Sequence, residues 1–67
     1  MNESRYTVKC PNGNYVRLDV TGYYDESTSI SDATYWDDRT EVEAWMRMFK
    51  DRNFKLVSVT FVVTEIS

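Results

Sequence analysis

No histidine occurs in this chain, and it has only one cysteine, one proline, two glycines and no long apolar run. Each absence removes a class of function. Without imidazole, the usual general base near neutral pH is missing, and so is the commonest nitrogen ligand for zinc. Cys10 cannot form an internal disulfide, and no histidine stands ready to activate it as a nucleophile. Placed at a strand end just ahead of Pro11, it reads as a buried structural thiol. Scarce glycine and proline leave no linker, so residues 1–67 are expected to form a single domain. No stretch reaches the roughly 18 apolar residues of a membrane-spanning helix. One unpaired thiol and no signal-peptide pattern predict a reducing cytoplasm. The expectation is a protein with no cofactor, no bound metal, no membrane partner and no enzymatic activity.

Aromatic rings and unevenly placed charge are what the chain does have. Ten aromatics (five Tyr, three Phe, two Trp) and 42% hydrophobic residues are too many for a disordered acidic tail. The charge divides in two. Residues 19–43 hold eight acids and one base, a formal −7, while the rest of the chain carries +4 within a net −3. A domain this small buries only roughly 60% of its unfolded surface, so its stability margin is thin.

Periodicity predicts an α+β fold, a small antiparallel sheet of three to four strands with one helix packed on one face, in the order ββ(β)αβ. Residues 5–10 alternate, with Tyr6, Val8 and Cys10 opposite Arg5, Thr7 and Lys9. In "PNGN", Pro11 presets a type I turn and Gly13 supplies the left-handed residue of a bulged hairpin. Residues 15–20 alternate again, with Val16, Leu18 and Val20 opposite Tyr15, Arg17 and Asp19. A helix is expected over 40–52. Thr40 and Glu43 form a capping box, Val42, Trp45, Met46 and Phe49 form an apolar stripe, and Asn53 is a left-handed cap. Glu43 and Arg47 stand four apart in the favourable order. Residues 54–66 read as the strongest strand, with Val57, Val59, Phe61 and Val63 as its inner face. An eighteen-residue interval, 21–38, is too long for a structureless loop in so small a domain. "SISDATYW", residues 29–36, is the expected third strand, and "DEST" is the turn joining it to a second strand that runs on to Tyr24. The expected core is Val8, Val16, Leu18, Val42, Trp45, Met46, Phe49, Val57, Val59, Phe61 and Val63.

Three kinds of site fail on spacing or charge. Counted from Asp25, a calcium loop would need Gly at its sixth position and Glu at its twelfth, where Ile30 and Trp36 stand. Paired carboxylates could hydrolyse glycosides only across a cleft, and one helix on one sheet gives little depth for a cleft. Arg5, Lys9 and Arg17 share the outer hairpin face with Tyr15, but a pI near 4.7 argues against direct nucleic-acid binding.

The acid-rich stretch remains. Turns and a helix start account for part of its charge, but not for the aromatics interleaved with it. Tyr23, Tyr24, Asp25, Glu26, Asp32, Tyr35, Trp36, Asp37, Asp38 and Glu41 are the candidate partner-binding residues. Tyr and Trp anchor interfaces, and carboxylates around them steer a domain onto a basic surface. Acids two apart on a strand lie roughly 6.6 Å apart, near the spacing of phosphates along a nucleic-acid strand.

In organisation the chain resembles small phage-encoded inhibitor proteins, among them anti-CRISPR and anti-restriction proteins and inhibitors of host polymerase. The resemblance is one of type, spans the whole chain and rests on the acidic and aromatic residues just named, with no family motif. It implies a cofactor-free protein in the host-cell cytoplasm. Its acidic surface would act as a nucleic-acid mimic, filling a basic groove on a host protein or nucleoprotein complex. The alternative is a structural or assembly accessory that pairs through its long last strand, as a homodimer or with a partner chain. Its motive is the second face of that strand, where Leu56, Val62 and Ile66 lack an obvious partner.

Overall fold

The computed structural model describes residues 2–62, 64 and 66. Strands β1 (Asn2–Lys9), β2 (Tyr15–Leu18), β3 (Tyr24–Ser27) and β4 (Lys55–Val62) form one antiparallel sheet in the order β3-β2-β1-β4. Helix α1 (Arg39–Arg47) buries Val42 against Val8, Cys10 and Val16. The fold is thus α+β, as the periodicity predicts. Among the described residues no helix is long and apolar enough to cross a membrane.

Turn chemistry sets both hairpins. Gly13 N–H donates to Cys10 O at 3.0 Å, and Cys10 N–H donates to Asn14 O at 2.7 Å. Gly13 has φ 93°, so the bulged turn read from "PNGN" is present. The same device recurs unforeseen at "DVTGY". There Gly22 N–H donates to Asp19 O at 3.2 Å, Asp19 N–H to Tyr23 O at 3.0 Å, and Gly22 has φ 86°. This second turn corrects three expectations together. β2 stops at Leu18 instead of running to Tyr24, Val20 is fully exposed at the turn, and residues 24–27 are a strand and not a turn.

The strand expected at 29–36 does not form. Ser29 accepts from Ser31 N–H through its side chain and starts a single 3₁₀ turn at Ile30–Asp32. Such local side-chain bonds compete with a strand ladder. Only the end of the segment joins the sheet. β1 and β2 pair beside their turn, at Lys9 and Tyr15, and then separate. Residues 34–36 fill the gap. Thr34 N–H donates to Val16 O at 3.0 Å, Leu18 N–H donates to Thr34 Oγ1 at 2.9 Å, and Tyr6 and Trp36 exchange both backbone bonds at 2.9 and 2.8 Å. Buried Thr7 adds a bond from its hydroxyl to Thr34 O at 2.8 Å. These bonds satisfy backbone groups that the parting of β1 and β2 would otherwise strand.

Pairing register settles which side of β4 faces the helix. Val8 lies opposite Leu56 and Thr7 opposite Val57. Opposed residues share a face, so Leu56 packs on the core while Val57, Val59 and Phe61 lie on the face away from α1. That reverses the expected inner face, and Leu56 is not without a partner. Phe61 is exposed, Val57 and Val59 are half-buried, and Val63 lies outside the described residues. Of the remaining expected core, Val8, Val16 and Val42 are fully buried, whereas Leu18, Trp45, Met46 and Phe49 are half-buried.

The helix is shorter than expected and starts one residue earlier. Asp38, not Thr40, is its N-cap, accepting from Thr40 N–H at 2.8 Å. α1 ends at Arg47, and a separate 3₁₀ turn at Lys50–Arg52 leads to Asn53 at φ 57°, the left-handed position foreseen for it. Glu43 pairs backward with Arg39 at 2.8 Å, not forward with Arg47.

Candidate functional site: the open face of the sheet

Aromatic packing decides which of the candidate rings remain available. Tyr24 meets Trp45, Phe49 and Phe54 edge-on at 5.8, 5.2 and 5.4 Å. Trp36 meets Trp45 at 5.5 Å, and Trp45 stacks on Phe54 at 5.7 Å. Tyr24 and Trp36 are therefore partly buried members of the core periphery. The indole N–H of Trp45 is buried within this cluster without an acceptor among the described residues. Tyr23 stacks on Tyr24 at 5.1 Å but keeps an exposed face. Arg52 donates to both tyrosines, to Tyr24 Oη at 3.0 Å and to Tyr23 Oη at 3.3 Å. Tyr35 lies half-buried on the sheet face opposite α1, donating to Ile30 O at 2.6 Å and meeting Phe61 at 5.5 Å.

The carboxylates have partners of their own. Arg17 and Asp25 face each other across β2 and β3 and make two bonds, at 3.1 and 3.2 Å. Asp25 holds the Arg17 guanidinium above its ordinary pKa, chiefly through that hydrogen bond, and Asp32 adds a smaller attraction. Arg5 lies 3.3 Å from Glu3 and 3.3 Å from Asp37, with its guanidinium over the Phe61 ring at 5.9 Å. Glu26 accepts from the side-chain amides of Asn12 at 2.8 Å and Asn14 at 3.1 Å, which hold its carboxyl below the usual range. Asp38 is committed to the helix cap, and Glu41 sits in the first helical turn, exposed.

Strand alternation puts Arg5 and Arg17 on the face away from α1, opposite Val8 and Val16. This face therefore gathers four carboxylates (Glu3, Asp25, Asp32, Asp37) around two arginines, with Tyr35 and Phe61 among its rings, while Lys9 and Lys55 stand on the same face at the end nearest the first turn. Asp25, Asp32, Asp37 and Tyr35 belong together here. Tyr23 and Tyr24 lie by α1, Trp36 lines the core, and Glu26 is drawn to the first turn. Arg5, Arg17, Asn12, Asn14 and Arg52 were missed as partners of the candidates. Reading "DVTGY" as a turn would have put Arg17 opposite Asp25. The Arg52 contact spans 28 positions or more in the chain and leaves no local signal.

On the helix side a shallow groove of about 420 Å³ is lined by Met46, Phe49 and Phe54 together with Glu43, Arg47, Lys50 and Asn53, and none of the four acids of the opposite face lines it. Among the described residues no three acidic or cysteine side chains gather closely enough to hold a metal ion. Comparison with protein-family models, curated proteins and solved structures gave no match.

Proposed function

We propose that this protein is a small, cofactor-free protein-binding inhibitor of the phage type, one that occupies a basic nucleic-acid-binding surface of a host complex. The observation that carries this reading is the grouping of exposed carboxylates on the sheet face away from α1, where Glu3, Asp25, Asp32 and Asp37 surround two arginines beside Tyr35 and Phe61, and Lys9 and Lys55 stand apart at the first-turn end. The pairs are exposed, so each contributes little to folding, and an incoming arginine or lysine can compete for the acids. Charge of this kind acts mainly on the rate of encounter and on partner choice. Asp25, Asp32 and Asp37 carry the contact, with Tyr35 and Phe61 as the rings beside them.

The test is capture from a bacterial lysate with tagged parent protein and with Asp25→Lys and Asp32→Lys variants. The parent should retain a nucleic-acid-handling complex at low salt and release it as ionic strength rises. The folded variants should retain much less. Variants that capture the same complex equally well would overturn the reading.

A second reading, an assembly accessory that pairs through its last strand, is favoured by a different observation. β4 is twice as long as β3 and lies at an edge of the sheet that no other described strand pairs with.

A further inference from the structure

The open edge of β4 has a definite pattern of backbone groups. Tyr6 directs its N–H and C=O at Trp36, away from β4. Glu3, Arg5, Thr7 and Lys9 therefore face β4 and bond to Phe61, Val59, Val57 and Lys55, their register partners. The alternation turns the N–H and C=O groups of Leu56, Ser58, Thr60 and Val62 outward. Among the described residues no other element bonds to them. β4 also lacks the usual protection of an edge. It runs for eight residues without proline, and Lys55 is its only charge.

We propose that β4 pairs antiparallel with β4 of a second copy, about a two-fold axis at Val59, joining the two sheets into one. This deepens the pairing reading above and owes nothing to the inhibitor reading. The strand's own order of side chains selects both occupant and register. Pairing about Val59 sets Leu56 opposite Val62 and Ser58 opposite Thr60 on one face. It sets Val57 opposite Phe61 and Val59 opposite itself on the other. Apolar meets apolar and hydroxyl meets hydroxyl, the kind of cross-strand match that stabilises a sheet. An axis at Ser58 would oppose Leu56 to Thr60 and Phe61 to Lys55. An axis at Thr60 would oppose Ser58 to Val62.

Charge is compatible with this arrangement as well. The two Lys55 side chains lie at opposite ends of the paired strands, and the acids of residues 19–43 lie off the seam. Val62, 75% exposed in the single chain, gains Leu56 of the second copy as a neighbour. The other edge cannot substitute, since β3 has only four residues and carries Asp25 and Glu26. Head-to-tail stacking of β4 on β3, which would propagate into a filament, is thereby disfavoured, and the assembly closes as a dimer.

Sedimentation should show a species of twice 7.9 kDa whose share grows with concentration. Thr60→Pro removes only an outward N–H, a change an edge strand tolerates. That variant should be monomeric with an unchanged circular dichroism spectrum. Single cysteines placed in turn at 58, 59 and 60 locate the axis. Val59→Cys should oxidise to a covalent dimer fastest, and the parent, whose Cys10 is buried, should not. A parent that stays monomeric up to about 1 mM would overturn the proposal. So would a Thr60→Pro variant that dimerises as the parent does. A dimer that cross-links fastest through position 58 or 60 would overturn the register and leave β4 pairing standing.

Discussion

β3 and β4 close the same sheet at opposite edges, but one is built into its surroundings and the other is left open. β3 has four residues, and each is engaged. Tyr24 enters the aromatic cluster, Asp25 holds Arg17, Glu26 accepts from Asn12 and Asn14, and Ser27 is buried. β4 has eight residues, bonds along one side only among the described residues, and presents Phe61 and Val62 to solvent. Charge that looks like surplus in the chain is thus partly consumed in securing a short edge. β4, with Lys55 as its only charge, leaves the outward backbone groups of Leu56, Ser58, Thr60 and Val62 without a bond among the described residues.

If β3 depends on the aromatic cluster, removing the centre of that cluster should have the largest effect. Trp45→Ala should cost about 3–5 kcal/mol, enough to unfold much of so small a domain, as read by denaturant titration. Trp45→Phe should cost clearly less, because it keeps a ring and deletes a buried N–H that has no acceptor. Equal losses in the two variants would show that the indole makes a bond essential to β3.

Next in size is the turn that delivers β3. Gly22 has φ 86° with open space around a built Cβ, so Gly22→Ala meets only backbone strain. It should cost about 1–2 kcal/mol. Hydrogen exchange should quicken at β3 before β4, and a uniform change along both edges would break the comparison. A smaller effect is expected at the exposed Arg17–Asp25 pair. Asp25→Ala should lower stability by less than about 1 kcal/mol, with the difference shrinking in high salt.

The smallest effect is a dependence on pH. Hydrogen bonds from Asn12 and Asn14 depress Glu26, and those from the Thr21 hydroxyl and N–H depress Asp19. A carboxyl depressed in the folded state adds stability above its unfolded pKa, about 4 for these groups, and loses it as pH falls through the folded value. Between pH of about 6 and about 3 the parent should lose stability, and Glu26→Gln should lose less. Urea midpoints at several pH values read this directly, and parallel curves would remove Glu26 from the account of β3.

Legibility of the candidate site follows the range of the interactions. The acids and rings of residues 19–43 stand out from composition alone. What they touch does not, because Asp37 meets Arg5 and Tyr35 meets Phe61 only after the chain has crossed the sheet. Asp38 shows how local chemistry misleads when two caps compete. Thr40 with Glu43 and Asp38 with Glu41 offer the same spacing, and the bond from Thr40 N–H to Asp38 selects the earlier start.

The sequence by itself determined the first hairpin, the helix stripe as far as Met46, the left-handed Asn53 and the α+β class. These rest on turn residues and periods that act within a few positions. It also held the second hairpin in "DVTGY", which has Asp at the first and Gly at the fourth turn position, as a bulged type I turn requires. Tertiary structure alone decided the two remaining matters. Residues 34–36 enter the sheet because β1 and β2 part and leave backbone groups to satisfy. The facing of β4 could not be read from alternation, since apolar residues occupy both of its sides. A shift of one residue exchanges the two faces, and only the pairing of Leu56 with Val8 chooses between them.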